Sequence, residues 1–211
     1  VLLFNTCSVR EQAELKAVGK VGILKRLKTK KPDIFIGVFG CMAQRRGNEL
    51  LKEIPHLDFV IGTDQLEKLP DVLEQTISNR QQIAVTEENG SLKESMNGHL
   101  NNGVSEPIAV MRGCDMFCSY CIVPYVRGRE KSREILDIVK EANILADNGT
   151  KEITLLGQNI SAFGLNQAMT HRPVGSPFSE LLEKVCDIDA IKRVRFISPH
   201  PYFFNDKLIN T

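Results

Sequence analysis

Short apolar runs alternate with stretches of helical periodicity along the first 78 residues of the chain. Because a strand covered on both faces is apolar throughout, the runs predict three buried strands: Val1–Cys7, Ile34–Phe39 and Asp58–Gly62. After each run, apolar residues recur every three or four positions, which predicts helices over about residues 8–31, 44–54 and 65–77. Since strands and helices alternate, we expect an α/β fold with a doubly wound parallel sheet.

Local signals predict the ends of these helices. Ser8 and Glu11 have the spacing of a capping box, in which the serine and glutamate side chains bind backbone N–H groups at the helix start. Pro32 marks the end of this first helix, and Asp64 is placed to cap the third.

The same alternation continues after a polar stretch. Residues 79–105 are dominated by Asn, Gly, Ser, Glu and Gln, which predicts a linker between two domains, 1–78 and 106–211. Within the linker only Ile83–Val85 can form a short strand. In the second domain we predict, in chain order, strand Ile108–Met111, a helix capped by Ser132, strand Ile153–Leu156, helix Pro177–Cys186 and strand Arg193–Ile197.

Composition restricts the class of protein. With 42% apolar content in 211 residues, the chain can bury a substantial core. Six cysteines are too few for a disulfide scaffold and no apolar run is long enough to span a bilayer, so we expect a reduced, cytoplasmic protein that does not bind membranes. The chain opens directly in VLLFNTC without an initiator Met, and we expect it to be a fragment.

One predicted helix is strongly basic, although the whole chain has a net charge of only +1. Between Arg10 and Lys31 there are eight basic and two acidic residues, a local net charge of +6. Such a surface can contact nucleic-acid phosphates, and a solvated helix face is the alternative.

The strongest chemical signal is a group of three cysteines, Cys114, Cys118 and Cys121. Three thiolates within eight residues can converge on one centre, and thiolates favour zinc or an iron–sulfur cluster. The C-x3-C-x2-C spacing differs from that of bacterial ferredoxins, and the next cysteine or histidine, His171, is about fifty residues away. An iron–sulfur cubane with one open iron fits this pattern. A zinc site with remote ligands and buried unligated cysteines are the alternatives.

Two more cysteines follow the first two predicted strands. Cys7 ends the first strand, and Cys41 comes directly after the second. Because ligands bind beyond the carboxyl ends of the strands in such sheets, we expect both thiols to face one crevice. Two small core residues are the alternative. Cys186 has helical spacing from Leu182 and is predicted to be a core residue.

The cysteine triplet resembles the signature of radical S-adenosylmethionine (SAM) enzymes. The segment VPYVRGREKSR after Cys121, together with NTCSVRE around Cys7 and GCMAQ around Cys41, looks like the methylthiotransferase branch of that family. The resemblance implies an incomplete methylthiotransferase N-terminal domain, followed by the first half of a radical SAM partial (β/α) barrel.

The resemblance also implies the cofactors of the second domain. The three cysteines of the triplet would hold a 4Fe-4S cluster whose open iron is chelated by SAM. Tyr120 would lie beside the SAM adenine, and Gly157 and Gln158, in the segment LLGQN, would belong to a SAM-binding main-chain segment.

For the first domain, the resemblance implies an auxiliary 4Fe-4S cluster. Cys7 and Cys41 would be two of its three ligands, and the third would precede the start of the chain. No catalytic side chain beyond these ligands is assigned.

The segment LLGQN and the turn at His200 look like the branch that modifies tRNA, not the branch that modifies a ribosomal protein. Four basic residues after the triplet could bind the SAM carboxylate or RNA phosphates: Arg127, Arg129, Lys131 and Arg133. His200 resembles a substrate-pocket histidine in a Ser-His-Pro turn, although Pro199 intervenes here, and turn capping is the alternative.

The implied activity is the addition of a methylthio group to C2 of N6-isopentenyladenosine beside the anticodon. In this family, one electron delivered to the cluster cleaves SAM to methionine and a 5′-deoxyadenosyl radical. The implied partners are a tRNA anticodon stem-loop and an electron-donor protein, and we expect a monomer. The alternatives are modification of a ribosomal-protein aspartate or another tRNA adenosine, and a non-catalytic iron–sulfur or zinc module.

Overall fold

A computed structural model of the chain describes residues 1–87, 103–165 and 176–211. These residues form two compact units, one of residues 1–87 with 117–128 and one of residues 103–116 with the remainder. Both contain parallel sheets covered by helices, which confirms the predicted α/β class. Part of the predicted linker, residues 88–102, lies outside the described residues, as does His171.

The first unit is built on a four-stranded parallel sheet. Its strands lie in chain order: β1 (Leu2–Thr6), β2 (Ile36–Gly40), β3 (Phe59–Ile61) and β4 (Ile83–Val85). The helices of this part of the chain are α1 (Glu11–Ile23), α2 (Lys25–Lys30), α3 (Cys41–Arg46), α4 (Asn48–Glu53) and α5 (Leu69–Asn79). Side chains alternate between two apolar clusters along β3, because successive strand residues point to opposite faces. Val60 packs with residues of α1 and α4, whereas Phe59 and Ile61 pack with Val72 of α5.

The predicted capping box at Ser8 is wrong. Helix α1 begins at Glu11, and Arg10 at its N-cap makes no side-chain capping bond. Ser8 Oγ instead donates to a carboxylate oxygen of Glu14 at 3.3 Å. The serine hydroxyl therefore binds a side chain six residues later, not a backbone N–H at the helix start.

Two further boundaries differ from the prediction. The helix predicted over residues 44–54 is two helices, α3 and α4, which are separated at Gly47, where φ is +44°. The helix predicted from residue 65 is preceded by a 3-10 turn, Leu66–Lys68, and α5 has no side-chain cap, so Asp64 does not cap it. Strand β4, inside the predicted linker, pairs with β3 and extends the first sheet beyond residue 78.

The second unit contains a three-stranded parallel sheet in the order β5 (Ser105–Ala109), β8 (Glu152–Leu156), β9 (Arg193–Phe196). A short antiparallel pair, β6 (Met111–Arg112) and β7 (Lys131–Ser132), lies at the two ends of the segment that carries the cysteine triplet. The remaining helices in chain order are α6 (Val123–Arg127), α7 (Ile135–Asp147), α8 (Pro177–Cys186) and α9 (Asp206–Asn210). The core of this unit is formed by strand residues and by the apolar faces of α7 and α8: Ile108, Ile153, Leu155, Ile138, Phe178 and Leu181.

One segment and two single residues of the second predicted domain differ from the expectation. Residues 117–128, which include α6, group with the first unit, where Thr63 Oγ1 donates to the carbonyl of Val126 at 2.8 Å. Ser132 lies in β7 and does not cap α7, because its Oγ accepts from the Gly164 N–H at 2.9 Å. Cys186, predicted in the core, is exposed at the end of α8.

None of the described helices is both long enough and apolar enough to cross a membrane.

We predict that Gly40→Ala destabilises the first unit. Gly40 ends β2 with φ of +99°, and a Cβ there would lie 2.5 Å from the Thr6 carbonyl oxygen and 2.8 Å from Asn5 Oδ1. Both contacts are with β1, so the strands would have to separate, at a cost of about 2–4 kcal/mol. Urea unfolding measures this loss. The matched control is Gly22→Ala in α1, where an added Cβ meets nothing within 4 Å; equal stability of the two variants would contradict the prediction.

Candidate functional site

The carboxyl edge of the first sheet carries two cysteines. Thr6 and Gly40 are register partners in β1 and β2, so Cys7 and Cys41 follow paired positions on neighbouring strands. Cys41 is buried as the first residue of α3, and Cys7 is exposed. The Val9 N–H points to Cys7 Sγ at 3.4 Å. The structure therefore places both thiols at one edge of the sheet, although Cys7 is separated from α1 by a short loop.

A recess of about 410 Å³ adjoins this edge and has charged walls. Its lining includes Ser8, which follows Cys7, and Arg45 and Arg46 of α3. Both arginines pair with the buried carboxylate of Glu14, Arg46 at 3.7 Å. Arg46 also pairs with Glu53, and Glu11 lines the recess too, so the walls carry charges of both signs that are largely paired with one another.

Two cysteines of the triplet lie in the part of the chain that groups with the first unit. The Cys121 N–H donates to the Cys118 carbonyl at 2.9 Å, which folds these residues into a tight turn, and both cysteines are half-buried. Tyr120, between them, is 90% exposed, so its ring is accessible to a ligand. Phe117 has φ of +44°, and its ring packs edge-to-face on Tyr125 with centroids 5.8 Å apart.

The third triplet cysteine and the predicted SAM segment lie in the second unit. Cys114 is buried, and the preceding residue, Gly113, donates its N–H to Gln158 Oε1 at 2.7 Å. A Cβ on Gly157 would lie 2.6 Å from Met111 Cγ, so only glycine permits this close approach. The end of β8 is thereby held against the residues that lead into the triplet. The Gln158 side chain is therefore engaged within the protein by Gly113.

A residue missed in the sequence analysis lies next to this turn. Asn159 is 2% exposed, and its Oδ1 lies 3.2 Å from the hydroxyl of Ser161. Its Nδ2 has no hydrogen-bond partner among the described residues. The sequence signal was available, because Asn159 is a polar residue just beyond the carboxyl end of a parallel strand. Its burial could be seen only in the structure.

His200 has the turn-capping role. Its Nδ1 accepts from the Tyr202 N–H at 3.2 Å and caps the 3-10 turn Pro201–Phe203. Its backbone N–H donates to Ser161 Oγ at 2.8 Å, which ties the chain after β9 to the chain after β8.

Two of the four basic residues after the triplet, Arg129 and Arg133, form ion pairs within the protein. Arg133 is structural, since its buried guanidinium donates to Glu141 of α7 at 2.6 Å and to the carbonyl of Ala109 at 2.7 Å. Arg129 is exposed and pairs with the buried Asp115 carboxylate at 3.3 Å. Charge-assisted bonds of the Arg133 type fix the orientation of α7 on β5.

A carboxyl group near Asp115 is unusually basic. Burial raises the pKa of Glu130 to about 8, and the neighbouring Asp115 carboxylate adds to the rise. At neutral pH the folded protein therefore holds a proton on Glu130 that the unfolded chain releases above its ordinary pKa of 4.5.

We predict that Glu130→Gln weakens the pH dependence of stability. Below pH 4.5 Glu130 is protonated in both the folded and the unfolded state, so its raised pKa does not change the free energy of unfolding. As pH rises from there towards the folded-state pKa of about 8, the raised pKa lowers the free energy of unfolding progressively. The unfolding free energy of the metal-free protein should therefore fall with pH across this window, and less steeply in the variant. Urea unfolding at both ends of the window measures the two slopes. The exposed Glu134→Gln serves as control, and parallel slopes for Glu130→Gln and the unsubstituted protein would contradict the expectation.

The cysteine triplet is chemically suited to a thiolate-ligated cluster. Among the described residues, no three metal-ligating side chains are gathered closely enough to hold an ion. The chemistry is nevertheless suitable, because the triplet supplies three soft sulfur ligands and no competing histidine lies among the described residues between them.

Two known families match separate parts of the chain. The family described as "Uncharacterized protein family UPF0004" matches residues 1–62, and the radical SAM superfamily matches residues 108–209. The chain therefore carries a radical SAM region that follows a UPF0004 region. A radical SAM region implies SAM and a 4Fe-4S cluster.

Over nearly its whole length the chain is similar to proteins named tRNA-2-methylthio-N(6)-dimethylallyladenosine synthase. It is 45% identical to that of Caldicellulosiruptor saccharolyticus, 41% to that of Akkermansia muciniphila and 45% to that of Clostridioides difficile, in each case over 99% of the chain. The matched regions cover 44%, 49% and 43% of these relatives. The chain thus spans less than half the length of the relatives it resembles.

Proposed function

We propose that the complete protein is a tRNA methylthiotransferase. It adds a methylthio group to C2 of N6-isopentenyladenosine next to the anticodon. The observation that carries the proposal is the similarity across 99% of the chain to synthases of that name, with the C-x3-C-x2-C triplet inside the radical SAM match.

In this proposal the triplet forms the radical SAM site. Cys114, Cys118 and Cys121 hold a 4Fe-4S cluster, and the exposed ring of Tyr120 covers the adenine of SAM. When bound, the two cofactors supply reductive cleavage of SAM, for which an electron-donor protein is the partner. The turn at Gly157 and Gln158 presents its main chain to SAM and, through the bond from Gly113, keeps the start of the triplet in place.

The first unit supplies the second site of the proposal. Cys7 and Cys41 hold an auxiliary 4Fe-4S cluster together with a third ligand from outside this chain. Their positions after the register partners Thr6 and Gly40 support this, because both sulfurs stand at one edge of the sheet. The Val9 N–H, which points to Cys7 Sγ, is the kind of hydrogen bond to sulfur that tunes such clusters.

Exposed cations of the first unit support RNA as the substrate. Six basic side chains of α1, α2 and the residue after them are exposed and make no ion pair with a described residue: Lys16, Lys20, Lys25, Arg26, Lys30 and Lys31. Cations that are not neutralised by the protein can contact the phosphates of a tRNA anticodon stem-loop. The proposal includes a monomeric, cytoplasmic enzyme with domains at 1–78 and 106–211 and a linker at 79–105.

The test is nucleoside mass spectrometry of tRNA from cells that lack the complete protein. The methylthiolated nucleoside should disappear and N6-isopentenyladenosine should accumulate, and complementation by the unsubstituted protein or by its Cys186→Ala variant should restore the product. Unchanged tRNA nucleosides, with a ribosomal-protein aspartate losing its modification, would replace the proposal by the ribosomal alternative.

A further inference from the structure

A side-chain hydrogen bond attaches the residues that follow Cys121 to the sheet of the first unit. Thr63 Oγ1 donates to the carbonyl of Val126 in α6 at 2.8 Å, and Val126 is buried. The same hydroxyl lies 3.5 Å from Gln44 Oε1, so the carbonyl is the nearer acceptor. Thr63 comes two residues after β3, at the carboxyl edge of the sheet. The bond therefore joins this edge to a helix that begins two residues after the last cysteine of the triplet.

Thr63 is in turn held by Gln44 of α3. The Thr63 N–H donates to Gln44 Oε1 at 3.0 Å. At the other end of the same amide, Gln44 Nε2 donates to the carbonyl of Thr86, the residue after β4, at 2.7 Å. Because both ends of the Gln44 amide are bonded to backbone, the side chain has one orientation and fixes the position of Thr63 relative to α3.

The helix that carries Gln44 also carries a proposed cluster ligand. Cys41 is the first residue of α3, and Gln44 lies about one turn further along the same helix. Residues 117–128, which contain two cysteines of the triplet, group with the same unit. The bonds that run from Gln44 through Thr63 to α6 therefore tie the helix of one proposed site to the segment of the other.

We infer that Thr63 is a positioning residue for methylthio transfer, because its hydroxyl holds α6 and so fixes the triplet segment relative to α3. The inference rests on the proposed function. In that function SAM cleavage depends on the triplet site alone, whereas transfer depends on two sites held in one geometry. A misplacement of about 1 Å can lower a rate by on the order of a hundredfold. Release of α6 should therefore slow the transfer and spare SAM cleavage.

The test substitutes Thr63 by valine in the complete protein, reconstituted without oxygen. Valine keeps the branched shape of the side chain but cannot donate to the Val126 carbonyl. We expect methylthiolated nucleoside to fall roughly tenfold or more while 5′-deoxyadenosine formation changes less than about twofold, so the ratio of deoxyadenosine to nucleoside product rises. Thr63→Ser retains the hydroxyl and should keep the ratio of the unsubstituted protein. An unchanged ratio in Thr63→Val overturns the inference.

The matched control is Thr76→Val in α5. Thr76 is buried, and its hydroxyl donates to the Val72 carbonyl at 2.7 Å within its own helix. This variant loses a threonine-to-carbonyl bond of the same kind, but the bond does not involve the triplet segment. The ratio of deoxyadenosine to nucleoside product should therefore stay unchanged. An equal rise of the ratio in Thr76→Val would mean that general destabilisation causes the effect, and it overturns the inference.

Hydrogen–deuterium exchange measures the attachment of α6 directly. The peptide containing residues 122–128 should exchange faster in Thr63→Val than in the unsubstituted protein, whereas the peptide containing β2 should not change. Unchanged exchange of residues 122–128 overturns the inference, because the hydroxyl then does not hold α6. If Thr63→Val fails to fold, Gln44→Met takes its place, since it removes the bond that fixes Thr63; it should raise the same product ratio, and an unchanged ratio overturns the inference.

Failure of the proposed function gives a different result. If the unsubstituted protein cleaves SAM but forms no methylthiolated nucleoside, or does not cleave SAM at all, the proposed function is wrong and the positioning role falls with it. If the unsubstituted protein forms the nucleoside and Thr63→Val forms it with the same ratio, the proposed function stands and only the role of Thr63 is refuted.

Discussion

Cys114→Ala should abolish reductive SAM cleavage by the complete protein. A cluster left with two protein sulfurs is under-ligated, and alanine offers no replacement ligand. Cleavage should fall by at least about a hundredfold, since even losses that only affect the orientation of a metal ligand cost ten- to hundredfold. The measurement is 5′-deoxyadenosine formed per protein under a chemical reductant, together with the iron and sulfide content.

The control for this prediction is another cysteine of the same unit. Cys186 is exposed at the end of α8, and both partial burial and the adjacent Asp187 raise the pKa of its thiol, which disfavours the thiolate that metals need. Cys186→Ala should cleave SAM normally. If Cys114→Ala retains full cleavage and full iron content, the triplet is not the SAM-binding cluster.

Cys41→Ala should separate SAM cleavage from methylthiolation of the nucleoside. SAM cleavage should persist, because the triplet is intact, whereas methylthiolated nucleoside should fall by at least roughly a hundredfold for lack of the auxiliary cluster. Cys41 is buried at the start of α3, so the variant also loses a few packing contacts, a smaller effect that a thermal unfolding curve reports. The two products are measured in one reaction by mass spectrometry.

Two comparisons sharpen this result. Cys7→Ala should reproduce the Cys41→Ala phenotype with less effect on stability, because Cys7 is exposed. Gly40→Ala, which perturbs the same strand end while leaving both sulfurs in place, shows how much loss arises from distortion alone. If Cys41→Ala still makes methylthiolated product at the normal rate, the auxiliary-cluster assignment is wrong.

The elements with strong local patterns could be predicted from the sequence. Helix α8 was predicted with both ends correct, because Pro177 starts it, Ser176 caps it and its apolar residues recur at helical spacing. The first three strands of the first sheet were found within two residues at each end, whereas β5 begins three residues before the predicted strand Ile108–Met111. Placement of Cys7 and Cys41 at one sheet edge followed from strand order alone.

The predicted helix caps that proved wrong share a physical cause. In each case a group that is not adjacent in sequence forms the hydrogen bond that was expected for the backbone of the helix. Ser8 lies two residues before the N-cap, and its hydroxyl donates to the Glu14 carboxylate. Ser132 is taken by the Gly164 N–H, thirty-two residues away. The unpaired amide of Asn159 depends on burial by the packed unit, and a sequence cannot show which of two adjacent amides, Gln158 or Asn159, is already satisfied.

Strand β9 lies at one edge of the second sheet and is largely exposed, with no strand beyond it among the described residues. The opposite edge strand, β5, contains Pro107, which has no N–H to donate and so discourages further pairing. Sheet growth is therefore directional, and β9 is the side open to an added strand. The exposed Arg193 and Arg195 of β9, which both pair with Glu152, are edge charges of the kind that discourage non-specific strand pairing, so a strand added at this edge has to match them.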